Sequence, residues 1–305
     1  MWIDWKDLES IEGQDTACLI KASFEKIKSE LLLNYDEENA LTMFIDKHVT
    51  CDKYNPLSEE IANKVNVHRH SRSCHKKSTS CRFNFPRLPS LKTIISVPAR
   101  VLEKNEDRRK EIVMNSKTLL NKVKKTLENE EIMKNINMIE QKQFEHCKLY
   151  QKCVHKLFLI INENEQTLVL AKKDFGIFEK TIRWNSNSVT MSIAESQVLY
   201  ERETENLAEI YTIEKFILKK RMLALLEHSK IANDIYDGDL ITLYENALKV
   251  SENSYSVYIK RKTDETFINN YNTEWLNAWS ANMDIQPALD YYSVITYISE
   301  YYRQV

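Results

Sequence analysis

Three glycines and five prolines in 305 residues leave this chain few places to turn tightly, and that scarcity limits what it can fold into. Glycine supplies positive φ at no steric cost and proline presets turns, so architectures built from many short hairpins are disfavoured and helices are expected to dominate. The breakers are also unevenly placed. Pro56, Pro86, Pro89 and Pro98 all fall between Cys51 and Arg100, where His, Cys and Arg replace periodic apolar residues. Such a stretch is expected to need a staple, because it offers little apolar surface from which to build a core.

Elsewhere the helical period is plain. Cys18, Leu19, Ile20, Phe24, Ile27 and Leu31 mark one helix over Thr16 to Leu33, and a second runs from about Glu37 to His48. From Ala99 to Phe158, Ile112, Leu119, Val123 and Leu127 share a face that Met133, Ile136 and Ile139 continue, which predicts one long amphipathic helix or two. Between Lys156 and Lys172 the runs KLFLII and TLVLA, parted by polar NENEQ, predict a β-hairpin. Ser192 to His228 is helical again. SYSVYIKRK and FINNYN alternate as a strand pair would, and two helices are expected over Thr273 to Tyr302. The fold class expected is α+β and predominantly helical, with a stapled basic loop module, long amphipathic helices, short hairpins and a tyrosine-bearing C-terminal helix.

The formal net charge of −2 conceals a strong asymmetry. No acidic residue lies between Glu60 and Glu103, while Lys64, Arg69, Arg72, Lys76, Lys77, Arg82, Arg87, Lys92 and Arg100 are all basic. A polyanion is the natural partner of that stretch. No signal-like leader and no apolar window of membrane-spanning length is present, so a nuclear or cytoplasmic location without a membrane partner is expected. No phosphate-loop string G-x-x-x-x-G-K-[ST] occurs, so ATP is not an expected ligand.

Six cysteines in a reducing compartment point to metal binding or burial rather than disulfides. His70, Cys74 and Cys81 are spaced so that a short loop can wrap one ion, and Cys51 can supply a fourth ligand; His68 and His75 are rivals for a place. Zinc suits such donors, since it takes tetrahedral N/S ligation and can replace a missing core with coordination energy. Arg69, Arg72, Arg82 and Arg87, with Lys76 and Lys77, would then be fixed near phosphates as DNA-binding residues. Alternatively His68 and His70, i and i+2 on a strand, could hold one divalent cation over a phosphate. A second cluster, Cys147 and Cys153 with His146 and His155, reads more simply as buried helix cysteines, and Cys18 as a core residue. Near the end of the chain Tyr297 and Tyr301, four apart, project from one helical face; they suit either core packing or paired nucleophilic attack on phosphodiesters.

Taken in order, FIDKHVTC (Phe44 to Cys51), HSRSCHKKSTSCRFNFPR (His70 to Arg87) with KTII beyond, YIKRK, INNYNTEWLNAWSANMDIQ (Ile268 to Gln286) and YISEY (Tyr297 to Tyr301) resemble the Helitron family of rolling-circle transposases. The branch concerned joins a Rep-type nuclease to a helicase. The resemblance implies a protein that nicks one DNA strand, using a divalent metal, and holds the 5′ end on tyrosine. It matches Cys51, His70, Cys74 and Cys81 to a zinc-binding insertion, and Tyr297 and Tyr301 to the two nucleophiles. Three departures are visible: no His-hydrophobic-His strand within residues 1–43, Gln304 in place of a lysine, and no helicase before Val305. They imply a remnant that binds zinc and single-stranded DNA but does not cut. The rivals are a zinc-dependent regulatory module in which the tyrosines merely pack, and a decayed reading frame. Four segments are expected: a helical remnant (1–50), the zinc-binding basic module (51–100), a helical insertion (101–245) and the C-terminal part of the nuclease domain (246–305).

Overall fold

The computed structural model describes residues 38–71, 74, 81–162, 167–171, 188–231 and 239–287, and they divide into two units. One joins the residues up to Asn129 with those from Leu226 onward; the other is Glu130–Leu225, inserted in sequence into the first. Helix dominates, and the sheets are small, as the shortage of turn residues predicts.

In the first unit the elements are α1 (Glu38–His48), α2 (Glu59–Val65), β1 (Ile94–Pro98), α3 (Ala99–Leu102) and α4 (Glu106–Leu127). In the second come α5 (Glu130–Met138), α6 (Gln141–Asn162), β2 (Thr167–Ala171) and β3 (Ser188–Ser192), and then α7 (Ile193–His228), which runs across the boundary. The first unit resumes with α8 (Leu240–Leu248), β4 (Val250–Ser251), β5 (Ser256–Tyr258) and α9 (Thr273–Trp279). Local signals explain several ends. The Asn105 side chain accepts from the amides of Asp107 and Arg108 and so caps α4; Asp239 and Asn272 cap α8 and α9 in the same way. Ser280, at φ 50°, terminates α9 in the left-handed conformation.

β1 is the centre of a three-stranded sheet, parallel to β4 (Val97 opposite Val250) and antiparallel to β5 (Ile94 opposite Tyr258, Ile95 opposite Val257). Beyond β5 the chain continues down the same side as isolated bridges: Arg261 pairs with Ser90, Ile268 with Val67 and Tyr271 with Thr50. YIKRK and FINNYN are therefore not partners of each other, as their alternation suggested. Each is zipped to an earlier segment whose backbone groups would otherwise lack partners. The core beneath combines Ile45, Cys51 and Ala62 with Ile259, Ile268, Tyr271, Leu276 and Met283. The Cys51 to Arg100 stretch thus shares its core with residues far along the chain.

The insertion departs from expectation too. KLFLII is not a strand but the last part of α6, and TLVLA (β2) pairs antiparallel with β3. The apolar run reads as a strand only when taken alone. With the residues before it, Cys147, Tyr150, Cys153, Val154 and Leu157 form a helical stripe, buried against Leu199 and Ile210 of α7. The predicted amphipathic stretch from Ala99 to Phe158 is broken into α3 to α6, and the insertion narrows from 101–245 to Glu130–Leu225, since α4 packs with α8 in the first unit. The helix expected over Thr16 to Leu33 lies outside the described residues. Among them, no helix is long and apolar enough to cross a membrane.

The turn after β5 is closed by a buried cation. The Arg261 guanidinium donates to the carbonyls of Glu265 (2.5 Å) and Ile268 (2.7 Å) and to the Asn270 amide oxygen. Its main chain exchanges both hydrogen bonds with Ser90. Beside it, Lys262 lies between Asp52 (2.7 Å) and Glu265 (2.9 Å). Replacing Arg261 by Met removes three buried donors' worth of pairing at once and is expected to cost about 3–5 kcal/mol. Urea denaturation of the full chain would read this as a lowered midpoint; an unchanged midpoint would contradict the role given to Arg261.

Candidate metal centre

The backbone that reaches the candidate centre is fixed before any ligand is considered. The His68 amide donates to the Phe267 carbonyl at 2.8 Å, next to the bridge between Val67 and Ile268. The His68 ring stacks on Phe85 with centroids 4.2 Å apart and planes within 5°, and Phe85 in turn lies nearly parallel to Phe267. His70, two residues on, meets Phe267 edge to face at 5.6 Å and stands almost perpendicular to His68 at 5.1 Å. Residues i and i+2 of an extended segment point the same way, which brings both imidazoles to one side.

The thiols arrive by two short turns. Cys74 donates its amide to the Ser71 carbonyl (3.1 Å), while the Ser71 amide points at Cys74 Sγ from 3.2 Å. The Arg82 amide returns to the Cys74 carbonyl (3.0 Å), and that of Asn84 to the Cys81 carbonyl (3.0 Å), so Cys81 opens a tight turn through Arg82 and Phe83. Asn84 occupies the left-handed region at φ 62°, a position that asparagine tolerates better than most residues.

These elements place the donor atoms of His68, His70, Cys74 and Cys81 within 4.8 Å of one another. Cys74 Sγ lies 3.5 Å from His70 Nδ1, and Cys81 Sγ lies 3.4 Å from His68 Nε2. In a tetrahedral site with ordinary zinc–sulfur and zinc–nitrogen bonds, the sulfur–nitrogen edge is about 3.5 Å. Two edges thus already have the length that a common ion requires, and the group could hold a metal.

Of the four expected ligands, His70, Cys74 and Cys81 are brought together, and the fourth place is taken by His68 instead of Cys51. Cys51 sits in the core, where its thiol donates to the Lys260 carbonyl at 3.3 Å. Burial pushes that thiol up to about 12, the opposite of what a thiolate ligand needs. The sequence signal for His68 was the His-x-His spacing itself. The rival use of His68 and His70 as a separate cation pair gives way to one group of four. Cys147 and Cys153 belong to the apolar core of the insertion.

The basic residues divide. Arg69 and Arg82 are exposed, and Arg82 lies over the Phe83 ring at 4.5 Å. Arg87 is paired with Asp284 at 2.6 Å and lies over the Phe85 ring at 4.7 Å. Arg72, Lys76, Lys77, Tyr297 and Tyr301 lie outside the described residues.

Compared with known proteins, the chain matches no family model, no curated protein and no solved structure.

Because the rest of this stretch shares the core with residues 256–285, metal loss is expected to open the loop and leave the unit folded. Chelator treatment should expose Arg69 and Arg82 to trypsin, and Cys81→Ser should do so without chelator. Equal cleavage with and without chelator in the wild-type chain would remove the centre.

Proposed function

We propose that this chain is related to the Helitron-type transposases and acts as a zinc-stapled module for single-stranded DNA. The observation that carries the reading is that the two stretches resembling that family, far apart in sequence, fold as one unit. Residues 44–51 bridge to Tyr271, residues 67–68 to Phe267 and Ile268, and residues 90–96 to β5 and Arg261. Segments inherited from one ancestral domain should meet in this way despite a long insertion between them.

Zinc is the metal of choice for the centre, because two thiols and two imidazoles form a borderline-soft set, whereas the hard cations of phosphate transfer prefer oxygen. With His68 and His70 both committed to that set, binding rather than strand cleavage is the function assigned here, and the family's tyrosine chemistry at Tyr297 and Tyr301 is not assigned to this chain. Arg69 and Arg82 stand exposed at the stapled loop, in a stretch of 42 residues from Ile61 to Leu102 without a carboxylate to compete for them. The location that suits a DNA partner is nuclear or cytoplasmic.

The test is the affinity of the full chain for a labelled single-stranded oligonucleotide across a salt series. Affinity should fall steeply with salt, and Arg69→Gln and Arg82→Gln should each reduce the logarithmic slope by about one. Absent or salt-independent binding would refute the reading.

A further inference from the structure

Phe83 has no part in the staple, yet it is held at its rim. Cys81 faces the donor group and Phe85, just past the turn, is buried against His68, while Arg82 and Phe83 between them are exposed. Phe83 keeps 46% of its surface exposed. A solitary exposed aromatic is common enough to need no explanation. This one is different in its surroundings. Its ring is steadied edge-on by His68 at 5.8 Å, and the Arg82 guanidinium lies 4.5 Å from its centroid. The turn that carries it is pinned at both ends, by the Arg82 amide on the Cys74 carbonyl and by Lys124 donating to the Asn84 side chain.

An exposed ring on a hydrogen-bonded turn, with a cation over one of its faces, has the elements of a platform for an unpaired base: the opposite face takes the base, and the guanidinium, which can swing off the ring, meets the phosphate that follows it. The geometry points to Phe83, with Arg82, as the base-stacking site of this chain, its ligand class being single-stranded DNA. This deepens the reading given under Proposed function and rests on it. The ring contributes stacking and Arg82 contributes charge, so the two side chains should separate in experiment. Duplex DNA, whose bases are already stacked, should gain nothing from the ring.

The experiment uses the full chain, zinc content checked, with labelled oligothymidine and a duplex of equal length. Phe83→Ala and Phe83→Leu should weaken oligothymidine binding by about ten-fold, within the range of one lost base–aromatic stack, with the salt slope and duplex affinity unchanged. Phe83→Tyr should restore wild-type affinity. Leu binding as well as Phe, or duplex affinity falling in parallel, would overturn the stacking site while leaving the DNA-binding module standing. A wild-type chain that fails to bind oligothymidine would overturn both.

Discussion

The first unit depends on one buried guanidinium. Arg261 satisfies two main-chain carbonyls and one side-chain amide within the turn that follows β5, and its own backbone is bonded to Ser90. A cation removed from water is tolerated only where its donors are taken up, and here they are taken up by groups that could not otherwise be buried together. The turn so fixed sets the direction of residues 262–271, and with it the bridges to Thr50 and Val67. Asn66 extends the same device: its side chain donates to the Asn269 carbonyl (3.0 Å) and accepts from the Met283 amide (2.8 Å). Tyr271 completes it, donating to the Asp52 carbonyl at 2.7 Å from a fully buried position.

The candidate metal centre is downstream of that frame. Phe267 sits inside the turn closed by Arg261, and it is Phe267 that anchors the His68 backbone and borders both Phe85 and His70. The frame therefore presents two imidazoles in fixed orientations, and the loop between His70 and Cys81 has only to deliver two thiols. Between His70 and Cys81 the sequence carries Arg72, Lys76 and Lys77 and no large apolar residue, so coordination energy would be a natural substitute for hydrophobic burial there.

Much of this was legible in the sequence wherever the signal was local. The uninterrupted helical periods of α1 and α7 and the grouping of His70, Cys74 and Cys81 could be read from spacing. What could not be read depended on distant partners. KLFLII has strand-like composition, but Leu157 continues the helical stripe of Cys147, Tyr150, Cys153 and Val154 that packs against α7. Arg87 reads from the sequence as one more cation of the basic stretch, and its ion pair with Asp284, 197 residues later, could not be foreseen there. Cys51 has the right chemistry for zinc, but the core formed with Ile259, Ile268 and Tyr271 encloses it, and the His-x-His spacing supplies the fourth donor instead.

The most direct test of the account is metal content by elemental analysis, made on the chain purified with zinc available and on its His68→Asn and Cys51→Ser variants. About one zinc per chain is predicted for the wild type and for Cys51→Ser, with loss in His68→Asn. A wild-type chain without zinc, or zinc lost with Cys51 and kept without His68, would contradict it.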